Sequence, residues 1–338
     1  METRTDTQIS MERKASEIME QGMQQLDKAL IGQLAAKAGV ITSLVTGEAL
    51  SLASVSGTGK TVLSENAHRL IIDLNPEEVA VIPGNSEITS KHVFGSEMDT
   101  SETSVRSSGY VDENTRLLIL SELTRLNPNT AGSMNDLIEH NQFSRIGSKT
   151  KKILDIITMI SAYNPNDRGD DVFPLTDAMK SRFGMGAPME LPSTKNREQI
   201  YNKDWQGSVE SIESVLSLND INELRSHLNE TKLNQTEISK LLKITDSLRE
   251  KLQSDKFRWY EGLRLENSML RLALFFKLAN DGNWDKISFL EAKDQSLSAG
   301  LLAARYVVLP RIVQTGYATI NSLPPEVLVE DFMKDIKE

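Results

Sequence analysis

The segment "SVSGTGKT" (residues 54–61) follows the apolar run "ALSLASV" and opens the helical pattern "TVLSENAHRLI". A strand running into a glycine-rich turn, with Lys and Thr opening a helix, lets backbone N–H groups and the helix N-terminus surround phosphate oxygens. In this pattern Gly57, Thr58 and Gly59 form the turn, Lys60 reaches the β- and γ-phosphates, and Thr61 offers its hydroxyl to Mg²⁺. Ser54 stands where the first glycine of the pattern belongs, and a small residue keeps the turn if its φ is negative. The competing reading is a Gly/Ser turn that ends in Lys-Thr by chance.

Hydrolysis at such a loop needs an acidic pair at the end of a second buried strand, one carboxylate near Mg²⁺ and one to polarise water. "RLLILSELTRLNP" offers the strand and Glu122, but Ser121 occupies the position of the metal-organising acid. A serine hydroxyl holds a metal-bound water without adding charge, so the expectation is weaker metal affinity and slow turnover. Taken alone, Glu122 also reads as an ordinary acid at a strand end. A third strand, "IITMISAYNPNDRG", ends on Asn164, whose amide could orient water beside the γ-phosphate. Arg182, in "LTDAMKSRF", reads either as an ion-paired residue at a domain edge or as a charge offered to a neighbouring subunit's site.

The elements that must carry these groups follow from hydropathy patterning. Residues 16–43 have helical spacing with a break at "IGQ", giving helix, turn, helix. Four short apolar runs, "ALSLASV", "VAVIP", "RLLILS" and "IITMISAY", alternate with helical segments, which predicts a parallel sheet covered on both faces. From about residue 208 the patterns are long and helical, so a second, all-helical unit begins there. The expected division is an N-terminal helical extension (1–26), a nucleotide-binding core (27–190), a linker (191–207) rooted in the proline-bearing stretch from Gly186 onward, a helical lid (208–315) and a tail (316–338).

Composition narrows the partners. A net charge of -10 over 338 residues disfavours a nucleic-acid track, since the basic cluster "SKTKK" is short. Without cysteine there is no disulfide framework and no thiolate metal site. The polar N-terminus and the lack of any apolar run of about 18 residues predict a cytoplasmic protein with no membrane association.

Taken in order, these segments resemble the MoxR family of AAA+ ATPases. The likeness rests on "ALIGQ", on "VIPGNSEITSKHVFGSEM" with "SGYVDENTRLLILSELTRLNPNTAGSMNDLIEHNQFSRIG", and on "ISAYNPNDRGDDVFPLTDAMKSRFGM". It spans roughly residues 27–312 and is densest across the core. The resemblance implies an α/β fold, an αβα core with a helical lid, assembled into a homo-oligomeric ring, commonly a hexamer, with each site at a subunit interface. It implies ATP and Mg²⁺ as cofactors and places Ile31 and Gly32 beside the adenine. Lys60 and Thr61 would carry phosphate and metal, Glu122 the catalytic water, Asn164 the sensor role and Arg182 the arginine finger in trans. Arg125 matches an arginine that follows the family's acidic motif, and Arg264, in "EGLRLEN", is the nearest match to the lid's sensor arginine.

The implied function is an ATP-driven chaperone or maturation factor that remodels a client protein, often one with a von Willebrand factor A domain. The alternative is a nucleotide-dependent ring scaffold with vestigial hydrolysis, for which Ser121 is the motivating feature. A DNA motor of the same clade is a third possibility, against which the acidic balance counts.

Overall fold

The computed structural model of the chain describes residues 5–99, 104–167, 169–202, 207–254, 262–290, 297–312 and 324–336. Helix α1 (Asp6–Ala29) begins where the Thr5 hydroxyl accepts from the Gln8 N–H, and it buries Ala15, Ile18, Met19, Met23 and Leu26 along one stripe. The chain breaks at the expected place: Gly32 and Gln33 both have left-handed φ, 70° and 61°, and α2 (Leu34–Thr46) follows.

The sheet is built from β1 (Leu50–Ala53), β2 (Val79–Pro83), β5 (Leu117–Ser121), β8 (Thr158–Tyr163) and β9 (Met185–Pro188), in the order β2-β5-β8-β1-β9 and parallel throughout. Strands β1 and β8 are buried at every position, as a sheet covered on both faces requires, whereas the edge strand β2 alternates between buried and exposed residues. Leu50, Leu52, Ile119 and Ile160 are each fully buried there, worth about 1.5–3 kcal/mol apiece. Two small antiparallel pairs decorate this frame: β3 (Ser96–Asp99) with β4 (Ser104–Ser107), and β6 (Gln142–Phe143) with β7 (Lys152–Ile153).

Short helices connect the strands: α3 (Lys60–Glu65), α4 (Ser90–Phe94), α5 (Pro128–Ser133), α6 (Asn135–His140) and α7 (Asp177–Lys180). Beyond the sheet the described residues are helical, with α8 (Thr194–Tyr201), α9 (Leu218–Glu230), α10 (Gln235–Gln253), α11 (Leu263–Leu278), α12 (Ala299–Ile312) and α13 (Pro325–Met333). Ser217 with Asp220 and Asn234 with Glu237 form the capping boxes that start α9 and α10.

The proline-bearing stretch around Gly186, where core passes into linker, has regular structure of its own. It carries the fifth strand, β9, and the helix α8. "MGAP" has no β-branched residue, so periodicity hides it. Gly186 serves instead to admit α12, because a Cβ there would lie 2.9 Å from Pro310 Cδ and 3.1 Å from Leu309 Cβ. Helix α12 thereby packs on the edge of the sheet, and one continuous apolar core joins core and lid. Among the described residues, no helix is long and apolar enough to cross a membrane.

Candidate nucleotide site

Parallel register brings the ends of the central strands to one edge. Ala53 pairs with Tyr163 and Ser121 with Ala162, so Ser54, Ser121 with Glu122, and Asn164 emerge side by side. The Ser54 N–H donates to the Tyr163 carbonyl at 3.3 Å, continuing the ladder one residue past β1. Ser54 is fully buried and is not among the residues with positive φ, so the serine occupies the missing glycine's position without backbone strain. Its hydroxyl has no hydrogen-bond partner.

The loop turns at Gly57 and Gly59, with φ of 82° and 92°. Gly59 also lies under Leu30, whose Cδ1 a Cβ would meet at 2.5 Å, while nothing lies within 4 Å of a Cβ on Gly57. The Thr58 hydroxyl is donated to the Val55 carbonyl at 3.2 Å. Lys60 Nζ donates to the carbonyls of Ser54, at 2.9 Å, and Val55, at 2.6 Å. Burial pulls its ammonium below the usual lysine range, and the carboxylates of Glu122 and then Asp167 oppose that shift. Thr61, on the first turn of α3, is exposed.

Ser121 donates its hydroxyl to Glu65 Oε1 at 2.9 Å. Glu122 follows in a left-handed conformation, φ 53° and ψ 48°. Its carbonyl lies where a Cβ on Gly84 would have to be, 1.9 Å away, and the Gly84 N–H donates to the Ser121 carbonyl at 2.5 Å. Glu122 Oε2 sits 3.3 Å from Arg125 Nε. Arg125 is further fixed by Asp167 at 2.7 Å and by Asp171, so it belongs to an acidic cluster beside the Glu122 turn. The Asn164 side chain accepts from the Asn166 N–H at 3.1 Å.

Hard oxygen donors (Thr61, Ser121, Glu65) and a cation over an open glycine turn fit a Mg²⁺–nucleotide pair. Among the described residues no three His, Asp or Glu side chains form a cage of their own. A metal here would therefore lean on phosphate oxygens and water, as Mg²⁺ does.

Two expected site residues lie elsewhere. Arg182 and Arg264 meet at Glu139: Arg182 Nη2 is 2.8 Å from Glu139 Oε2, and Arg264 bonds to the other oxygen and to Ser181 Oγ at 3.2 Å. Ser181 shortly precedes β9, whose first residue pairs with the first of β1, so this cluster sits at the opposite sheet edge from the phosphate loop. Arg264, the match to the lid's sensor arginine, thus does not face the Lys60 loop of its own chain. The context "EGLRLEN" gives the position in α11 but not which edge α11 packs against. Arg182, Arg225, Arg264 and Arg271 line a cleft of about 450 Å³ there, with Glu48 and Glu139. Burial lowers the Arg225 guanidinium to about 10. Arg225 donates to the carbonyls of Leu44, Val45 and Ile157.

The entry segment behaves differently. Leu30 presses on Gly59, and Gly32 abuts the Asn196 side chain of α8, so the turn bearing Ile31 flanks the phosphate loop. Sequence reasoning passed over Glu65, Gly84, Glu139 and Asp167. Gly84 left a trace in "VIPGN", a glycine directly after a strand, and Glu65 left one as the residue four beyond Thr61.

A crystal structure of a candidate ATPase from Cytophaga hutchinsonii is similar to this chain in fold, with a TM-score of 0.70 over 98% of this chain and 97% of that one, at 14% identity. No curated protein matches. The family model for the AAA domain (dynein-related subfamily) matches residues 52–183, from within β1 through Phe183. Residues 52–183 are accordingly similar to an AAA domain, and the fold around them is a parallel αβα core followed by a helical region, the arrangement of an AAA+ core with its lid.

Proposed function

We propose that this chain is a Mg²⁺-dependent ATP hydrolase of the MoxR type that works as a ring and remodels a partner protein. The observation that carries the reading is the meeting of Lys60, Ser121 with Glu122, and Asn164 at one sheet edge, with Arg182 at the opposite one. Bound Mg²⁺ would neutralise phosphate charge. Lys60 exchanges its two loop carbonyls for phosphate oxygens, the loop amides orient the nucleotide, and Glu122 accepts a proton from water held near Asn164.

A ring explains the far edge. The arginine cleft at Arg182 and Arg264 is remote from its own phosphate loop and suited to the phosphates of a neighbour, with Glu139 holding Arg182 until they arrive. Arg182→Ala is expected to keep ATP affinity within about threefold while turnover falls about 10³-fold, the order expected for a lost arginine finger. Mixing it with Lys60→Ala should restore part of the activity through interfaces that pair two intact halves. No recovery despite demonstrated co-assembly would place Arg182 in cis.

The deciding experiment compares phosphate release and assembly in the wild type and Glu122→Gln. The variant should bind ATP, stay assembled and release phosphate about 10²–10⁴-fold more slowly, the range of one positioned general base. Ser121 favours a second reading, a ring that ATP orders without turnover. That reading stands if the wild type assembles on ATP, releases no phosphate, and behaves as Glu122→Gln does. The client is proposed to be a protein with a metal-binding domain of the von Willebrand factor A type, and capture with ATP but not ADP tests it.

A further inference from the structure

We infer that Glu65, on the phosphate-loop helix, is the carboxylate that serves the metal at this site, taking over the charge that Ser121 does not provide. The inference rests on the phosphate-loop reading above. Its basis is the contact between Ser121 Oγ and Glu65 Oε1, 2.9 Å apart.

Thr61 and Glu65 are four residues apart on α3 and therefore share one face of that helix. The Thr61 hydroxyl is the metal ligand the loop pattern supplies, so Glu65 stands one turn behind it, on the side turned toward the end of β5. Ser121 is the last residue of β5 and bonds the Glu65 carboxylate directly. An acid at position 121 would put its charge next to Thr61 from the strand. Here the strand contributes a hydroxyl and the helix contributes the charge, with the hydrogen bond fixing one oxygen of Glu65 and leaving the other oxygen for a metal-bound water. The site then holds the two carboxylates that hydrolysis requires, Glu65 toward the metal and Glu122 toward the attacking water.

Local structure supports a held side chain. Helix α3 ends at Glu65, where His68 Nδ1 lies 2.8 Å from the Glu65 carbonyl and Asn66 Nδ2 donates to the Val62 carbonyl at 2.9 Å. These bonds close the helix end and set the point from which the Glu65 side chain leaves. A tie between helix and strand would serve packing alone with any polar pair. A metal role needs the charge.

The test is calorimetric titration of ATP over a Mg²⁺ series and in EDTA, on the full chain, with wild type, Glu65→Gln, Ser121→Asp and the double variant. Glu65→Gln keeps size and hydrogen bonding but removes charge. The Mg²⁺ concentration for half-maximal tightening of ATP binding should rise about 10- to 100-fold, the usual cost of losing a supporting group at a metal, while ATP affinity in EDTA holds or improves. Ser121→Asp alone should give no gain and a lower melting temperature, because it places a third carboxylate beside Glu65 and Glu122. The double variant, which moves the charge from helix to strand, should return the midpoint to within about threefold of wild type. Should Glu65→Gln fail to fold, the double variant decides, and a midpoint about tenfold or more above wild type overturns the proposal. An unchanged midpoint in folded Glu65→Gln that still binds ATP overturns the role of Glu65 and leaves the phosphate loop standing. Absence of ATP binding by the wild type in both Mg²⁺ and EDTA overturns both.

Discussion

Lys60→Ala is expected to weaken ATP binding by about 10²–10⁴-fold. Two charge-assisted hydrogen bonds from an ammonium to phosphate are each worth about 1.5–3 kcal/mol, and each 1.4 kcal/mol is a factor of ten. The position of Nζ makes the loss nearly complete, since it already sits over the loop, bonded to the Ser54 and Val55 carbonyls at 2.9 and 2.6 Å. Burial lowers its affinity for a proton, and the deficit is met in part by Glu122 and Asp167. A phosphate group is a stronger compensating partner than two carbonyls, so the ammonium gains by the exchange. Alanine also unties the loop, and Lys60→Met, which keeps much of the apolar stem, separates the charge from the tether. Calorimetry on both variants checks this, and wild-type affinity in either would remove the phosphate-loop reading.

The parts of this site legible in the sequence are those whose geometry is local. The order of strand, glycine turn and helix fixes Lys60 and Thr61 with no tertiary information, and the apolar runs around residues 50, 80, 118 and 160 are sheet strands because each is buried on both faces or is an amphipathic edge. β9 was not legible. Its residues satisfy the sheet by being small where α12 crosses, and smallness has no period. Arg264 shows the same limit at longer range: helical spacing puts it in α11, but only packing decides which end of the sheet it meets. Glu65 was hidden for a further reason. Its meaning depends on Ser121, 56 residues later, and neither residue is unusual until the strand end and the helix are adjacent. The question raised by Ser54 has a plain physical answer, since a buried serine that avoids positive φ fits where glycine is customary.

Gly84→Ala, outside the phosphate loop altogether, is expected to cost about 10²-fold or more in turnover while leaving ATP affinity within about threefold. A methyl there would lie 1.9 Å from the Glu122 carbonyl oxygen and 2.5 Å from that of Ser121, both main-chain atoms that no rotamer change can move aside. The N–H of Gly84 is bonded to the Ser121 carbonyl at 2.5 Å, so β2 and the turn after β5 must part together. The residue that shifts is Glu122, which already holds a left-handed conformation and whose carboxylate, in the proposed reaction, must sit within about 3 Å of the attacking water. A displacement of about 1 Å at such a group costs about 10²-fold in rate. Overpacking of this kind also costs about 1–3 kcal/mol, a fall in melting temperature of roughly 1.5–4 °C for a chain of this size. Lys60 and the turn at Gly57 and Gly59 follow a different strand, β1, which β8 and β5 separate from β2, and this is why binding survives when turnover does not. Single-turnover hydrolysis beside calorimetry reads the split directly. Full turnover in Gly84→Ala would mean that the Glu122 turn is not held against β2, and would leave its left-handed conformation without a role in catalysis.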